Sequence, residues 1–236
     1  RSNVIYMYLK NITFFSFWSC HDHLAYPNVL IEQPPDREIR GKESVPMNPS
    51  AVTDQESPFS LAGDAAYAPW RAAKLAASGM PEPVLIRDPA HLSDAERDAL
   101  LTGCLHRNFS LFHVGSPTGD TERVLRAFGR RIGLLDLDQN LCAEDSGVTA
   151  ISARETGTDH TYIPYTNRPL GWHTDGYYNA GEHQVRAWLL YCARPAAEGG
   201  DNELFDHEIA YIRIRDENPD WIRALMAPDA FTIPSN

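Results

Sequence analysis

His173 and Asp175 stand two residues apart in the stretch GWHTDGYYN, residues 171–179. On an extended strand, residues i and i+2 project from one face with Cα atoms roughly 6.6 Å apart. An imidazole nitrogen and a carboxylate oxygen so placed converge on one metal ion at about 2.0–2.2 Å each. Gly176 follows at once and lets the backbone bend sharply. A neutral nitrogen donor beside an anionic oxygen donor suits divalent iron, and makes two of the three ligands of a 2-His-1-carboxylate site. The competing reading is an ordinary polar turn. The chain holds nine histidines, and His21-Asp22-His23 and Asp206-His207 show how readily such clusters arise.

The elements around this pair are legible from their punctuation. LSDAERDALLTGCLHRN predicts a helix with Ser93 as N-cap and Glu96 closing a capping box. Leu100, Leu101 and Leu105 fall at helical spacing on it. FSLFHVG reads as a short strand. GDTERVLRAFGRRIG reads as a second helix capped by Asp120 or Thr121, with Val124, Leu125 and Phe128 on one face. GVTAISARE and HTYIPYT read as strands, being β-branched and aromatic between turn signals. VRAWLLYCARP is apolar at consecutive positions and predicts a central strand buried on both sides, ended by Pro195. AEGGD is a turn, NELFDH a further strand, and EIAYIRIRDE a helix that stops at Asn218. Pro219 opens the last helix, PDWIRALM. Helices, then strands, then helices give an α+β class.

With these elements in order, GWHTDGYY, WLLYCARPAAEGGDNELFD and the Ala210-Tyr211 pair resemble the TauD/TfdA family of Fe(II)- and 2-oxoglutarate-dependent dioxygenases. The matching residues are Trp172-His173-Thr174-Asp175, Pro195, Gly199-Gly200-Asp201, Phe205 and Ala210-Tyr211. The resemblance spans roughly Leu92 to Asn236 and is strongest over the H-T-D segment and the G-G-D turn. It implies a double-stranded β-helix, a jelly roll of the clavaminate synthase-like type, with His173 and Asp175 as iron ligands at its mouth. It also implies Fe(II) as cofactor, and 2-oxoglutarate and O₂ as co-substrates. The chemistry implied is oxidative decarboxylation to succinate coupled to hydroxylation of a small organic substrate. Asn202 stands where the family places a threonine that binds 2-oxoglutarate, and an amide also donates to a carboxylate. Tyr177, Tyr178 and Arg168 are candidate substrate-pocket residues, against the plainer readings of packing aromatics and an exposed loop arginine. Trp172 reads as core rather than site.

The family's second histidine ligand, and the arginine that clamps 2-oxoglutarate, come later in its sequence than any match found here. After Asp175 only His183 and His207 remain. His183 reads as a loop residue and His207 as a surface or near-cap residue. The expectation is a C-terminally incomplete jelly roll, inactive as this chain and open to self-association along unpaired strand edges. Two other classes stay open: a non-catalytic binding or structural fragment, and a zinc hydrolase using His173, Asp175 and His183 or His207. No G-x-S-x-G elbow, Walker sequence or G-x-G-x-x-G loop supports another chemistry.

Composition narrows the partners. The net charge is −11, and no run of Lys and Arg exceeds a pair, so nucleic acid and anionic membrane surfaces are disfavoured. The four cysteines, Cys20, Cys104, Cys142 and Cys192, form no C-x-x-C pair and read as reduced thiols of a cytoplasmic protein. ITFFSFWSC is too short for a membrane span and lacks a cleavage site. Residues 1–46 differ from the rest, and their five basic and five acidic residues cancel. They read as an atypical extension, disordered or not native, ahead of a start at Met47, or as a mobile arm. Residues 47–91 then form an N-terminal arm and linker, and 92–236 the dioxygenase-like domain.

Overall fold

The computed structural model describes residues 4–9, 17–21, 28–32, 57–114, 120–135, 137, 147–153, 162–175, 185–194, 196, 200–228 and 230–231. The chain divides into two compact units. The first comprises Arg1–Pro35 and Met80–Asp206, the second Asp36–Gly79 and His207–Asn236.

The first unit is built on a six-stranded sheet. Its strands are β1 (Val4–Leu9), β3 (Asn28–Glu32), β4 (Val84–Ile86), β5 (Phe109–Val114), β6 (Val148–Ile151) and β7 (Ala187–Cys192), in the order β4-β5-β1-β7-β3-β6. All pairings are antiparallel except β4 with β5. A second, two-stranded sheet pairs β2 (Phe17–His21) with β8 (Asp201–Phe205). Three segments of residues 1–46, read from sequence as an atypical extension, are strands. β1 and β3 flank β7 on its two edges. Local pattern does not reveal such partners, because strand pairing is decided by distant sequence.

β7 behaves as its composition requires. Ala187 to Tyr191 are all buried, with Leu189 at 0 % exposure. Alternation sends Ala187, Leu189 and Tyr191 into one core cluster and Trp188 and Leu190 into another. The first cluster lies under α2 (Asp94–Arg107) and α3 (Thr121–Arg131), which contribute Leu100, Cys104, Leu125 and Phe128. Phe112 of β5 stacks on Phe128 of α3, centroids 4.9 Å apart. The second cluster is covered by Leu204 of β8 and by Phe109. The unit is therefore layered: helices on one face of the large sheet, the two-stranded sheet on the other.

Both helix caps form as predicted. The Ser93 side chain accepts from the Glu96 backbone N–H, and the Glu96 carboxylate accepts from Ser93 N–H at 2.9 Å. That bonding also holds the Glu96 carboxyl below its usual range, the Ser93 side chain being the largest cause. Asp120 caps α3 through Arg123 N–H. On α2 the buried stripe is Leu100 and Cys104, while Leu105, expected to share it, is 75 % exposed. A step of four from Leu100 selects Cys104, and Leu105 lies one position round the helix. HTYIPYT does not form the predicted strand over its described part: Ile163–Tyr165 is a 3₁₀ turn. Pro164 sits inside that turn and brings no N–H for a sheet ladder.

In the second unit, α1 (Tyr67–Ala77), α4 (His207–Glu217) and α5 (Pro219–Leu225) bury Tyr67, Tyr211, Ile212 and Ile222 together. Asn218 caps α5 by accepting from Asp220 N–H, with Pro219 in its first turn. Arg215 is buried across this core. Its guanidinium lies 3.7 Å from the centroid of the Tyr67 ring and donates to Pro58 O, Tyr211 Oη, Gly63 O and Asp64 Oδ1. Lys74, equally buried, pairs with Glu208. No helix among the described residues is long and apolar enough to cross a membrane.

Candidate metal-binding pair

The residues 171–175 that carry the pair are not a strand. This corrects the expected i, i+2 strand geometry. The segment is irregular, with a bend at Trp172 and a turn at Asp175. The two side chains do meet: His173 Nε2 lies 3.5 Å from Asp175 Oδ1. Both side chains are partly covered, at 21 % and 25 % exposure, and Thr174 between them is buried.

His173 Nδ1 lies 2.9 Å from the Gly171 carbonyl oxygen. A carbonyl only accepts, so Nδ1 carries the proton and donates. Nε2 is the ring nitrogen that faces the Asp175 carboxylate. A backbone carbonyl bonded to one ring nitrogen is the arrangement that fixes a metal-ligating histidine. Two ligands at about 2.0–2.2 Å from one ion stand roughly 3.0 Å apart at a right angle and roughly 3.4–3.5 Å apart at a tetrahedral angle. The observed separation fits the wider angle and needs a small closure for the narrower one.

The segment is anchored beside β8. The Trp172 and Phe205 rings meet edge to face with centroids 6.3 Å apart. Trp172, expected in the core, is 44 % exposed and braces this contact instead. Asp206, which follows Phe205, accepts from Asn108 Nδ2 at 2.9 Å. Asn108 is the left-handed C-cap of α2, φ 63°, a conformation asparagine tolerates. The pair, the end of β8 and the α2–β5 junction thus gather at one end of the first unit.

The remaining candidates are placed as follows. Asn202 lies on β8 opposite Cys20 of β2. Strand alternation puts it on the face shared with Leu204, opposite the one carrying Phe205 and its contact with Trp172. Arg168 is exposed, in the loop before the pair, with its backbone N–H bonded to Thr166 Oγ1. Tyr177, Tyr178, Gly176 and His183 lie outside the described residues. His207, expected at the surface, is 3 % exposed at the start of α4. It belongs to the second unit. No group of three or more His, Cys, Asp or Glu poised for a metal occurs among the described residues. Of the thiols among the described residues, burial pushes Cys104 up to about 12 and also raises Cys192, which disfavours the thiolate at both.

Comparison with known proteins adds to this geometry. Two relatives are both uridine-5'-phosphate dioxygenases. The one from Amycolatopsis sp is 38 % identical over 68 residues, 27 % of this chain and 24 % of the relative. The one from Streptomyces sp is 34 % identical over 83 residues, 35 % of this chain and 29 % of the relative. The matched stretch therefore spans under a third of either relative. No solved structure matches significantly. The model of one family, described as taurine catabolism dioxygenase TauD, TfdA family, matches residues 71–236 and takes in α2 to α5, the central strand and the H-T-D segment. The chain belongs to the TauD/TfdA dioxygenase family.

Proposed function

We propose that this chain carries part of a dioxygenase site that uses Fe(II), 2-oxoglutarate and O₂ on a small organic substrate, and that His173 and Asp175 supply two of the iron ligands. The observation that carries the reading is the meeting of His173 Nε2 and Asp175 Oδ1 at 3.5 Å with Nδ1 committed to a carbonyl. The donor set fits the ion: one imidazole and one carboxylate are ligands that non-haem iron accepts. When bound, the iron would supply activation of O₂ and orientation of the co-substrate. The chain's own share is to hold the imidazole in one tautomer through Gly171, to set the carboxylate against it, and to brace the segment through Trp172 and Phe205. Face-to-face layering of the two sheets through Leu204 supports a jelly-roll plan. The two relatives' names point to a nucleoside monophosphate as the kind of substrate.

Metal-dependent 2-oxoglutarate binding tests this. Anaerobic Fe(II) is added to the 236-residue chain, and 2-oxoglutarate binding is followed calorimetrically. Binding that requires Fe(II) and is lost in His173→Ala is the expected result. Equal 2-oxoglutarate binding with and without metal, or in wild type and His173→Ala alike, would refute the reading. Zn(II)-dependent ester or amide hydrolysis without 2-oxoglutarate binding would favour a hydrolase.

A further inference from the structure

We propose that Arg107 and Arg186 form a recognition site for the phosphate of an anionic substrate, at the end of the first unit that carries His173 and Asp175. The proposal rests on the dioxygenase reading above and extends it to the substrate.

The placement follows from register. Tyr8 of β1 is opposite Phe109 on one side and Trp188 on the other. β5 and β7 are both antiparallel to β1, so they run in the same direction. Phe109 and Trp188 therefore lie level, two strand spacings or roughly 9.6 Å apart. Arg107 precedes Phe109 by two residues, and Arg186 precedes Trp188 by two. Both arginines thus stand at the same end of the sheet, Arg107 at the C-terminus of α2 and Arg186 just ahead of β7. The H-T-D segment reaches the same end through a short chain of contacts. Trp172 meets Phe205, Asp206 accepts from Asn108, and Asn108 follows Arg107 directly. Leu204 of β8 also packs on the cluster holding Val185 and Trp188, the residues on either side of Arg186 and Ala187.

The chemistry follows from what these arginines lack. The Nε atoms of Arg107 and Arg186 are both buried without a hydrogen-bond partner among the described residues. A buried guanidinium N–H left unpaired is costly, more so than a neutral group. The fully buried Arg215 shows how this chain treats such a group when its role is structural: four acceptors and an aromatic face surround it. Arg107 ends α2, where a cation suits the helix C-terminus, but that accounts for its charge and not for a buried, unbonded Nε. Asp206, in the same contact chain, accepts from Asn108. Two arginines whose Nε atoms meet no acceptor among the described residues, on a chain of net charge −11, suit an incoming dianion. Arginine pairs bind phosphate oxygens bidentately.

The test measures binding of uridine 5'-phosphate, uridine and inorganic phosphate to the full chain, wild type, Arg107→Gln and Arg186→Gln. Uridine 5'-phosphate should bind wild type more tightly than uridine, and each Gln variant should weaken it tenfold or more without changing uridine. Arg186→Lys should retain part of the preference, since charge survives and the fork does not. Unfolding midpoints identify any variant that has lost its fold, and the Lys variant then carries the decision. Unchanged uridine 5'-phosphate binding in folded Gln and Lys variants would overturn the proposal. So would a wild type that binds neither phosphate compound. Loss of metal-dependent 2-oxoglutarate binding with phosphate binding intact would overturn it too, by assigning the arginines to the co-substrate carboxylates. Mn(II) binding should be equal in wild type and both Gln variants. If wild type binds no Mn(II), the iron reading falls while the phosphate comparison still decides the arginines.

Discussion

Arg215→Met removes a cation that the second unit has built itself around, and its cost follows from the contacts. The guanidinium lies 3.7 Å from the Tyr67 ring centroid, with a side chain only 5 % exposed. Desolvated cation–π contacts contribute about 1–2 kcal/mol. Nη1 donates to Pro58 O and Tyr211 Oη, both at 2.9 Å, and each such bond from a charged donor is worth about 1.5 kcal/mol net. Tyr211 Oη keeps a contact to Phe59 O at 3.4 Å, which lowers its share. The bond to Asp64 counts for little: its side chain is 82 % exposed, and such pairs give about 0–1 kcal/mol. Met refills the apolar volume and removes the cost of burying charge, which offsets part of the loss. The net expectation is about 2–4 kcal/mol of destabilisation. Arg215→Lys should recover less than half, because an ammonium neither stacks on Tyr67 nor spans the separate acceptors. Urea unfolding followed by tryptophan fluorescence is the assay, with Trp70 placed 6.1 Å from the Tyr211 ring as the local reporter. An Arg215→Met chain as stable as wild type would show that desolvation cancels the network and that the reasoning is wrong.

Three further predictions follow from the core and its edges. Leu189→Ala, at a fully buried position of β7, should cost about 2–5 kcal/mol in denaturant unfolding, and Leu189→Asp should abolish soluble expression. Gly103→Ala should destabilise although alanine favours helix by about 1 kcal/mol, because its Cβ would come within 2.7 Å of Ser110 Oγ on β5; a more stable variant would show that Ser110 yields freely. The Asp216 carboxyl is held below its usual range, chiefly by its bond to Arg71 and also by Tyr67. A depressed carboxyl stabilises the fold above its unfolded pKa near 3.8 and loses that contribution as pH falls through the folded value. Wild type should therefore lose more stability than Asp216→Asn between about pH 4 and the folded pKa. Parallel pH profiles would count against the pairing.

Features decided within a few residues were legible in the sequence. The Ser93–Glu96 box, the Asp120 cap and the Asn218-Pro219 break each form as their types require. The apolar run of β7 announced a strand covered on both faces. Features decided by distant partners were not. β4 is three residues long, and α1 lacks a side-chain cap, so neither carried a local signal. That segments of residues 1–46 would flank β7 could not be read from their own pattern. The site divided in the same way. His173 and Asp175 do stand close, yet on an irregular segment rather than a strand. Trp172 looked like core because of its type, but an aromatic partner on β8 holds it at the surface. His207 looked like a surface or near-cap residue because it falls between a strand end and a helix start, but its side chain is buried.

Divalent-metal binding by His173 and Asp175 is the claim on which the functional account turns, and Mn(II) titration read by electron paramagnetic resonance tests it directly. Mn(II) reports an oxygen- and nitrogen-bound divalent ion without redox chemistry. The free-ion signal is measured against wild type, His173→Ala and Asp175→Asn at pH 7.5, with unfolding midpoints to show that all three are folded. The account predicts one wild-type binding site, weakened at least tenfold in each variant, since removing one of two donors removes much of a small ligand set's affinity. Equal Mn(II) binding by wild type and both variants, or none by any of them, would contradict it and leave His173 and Asp175 as an ordinary imidazolium–carboxylate pair.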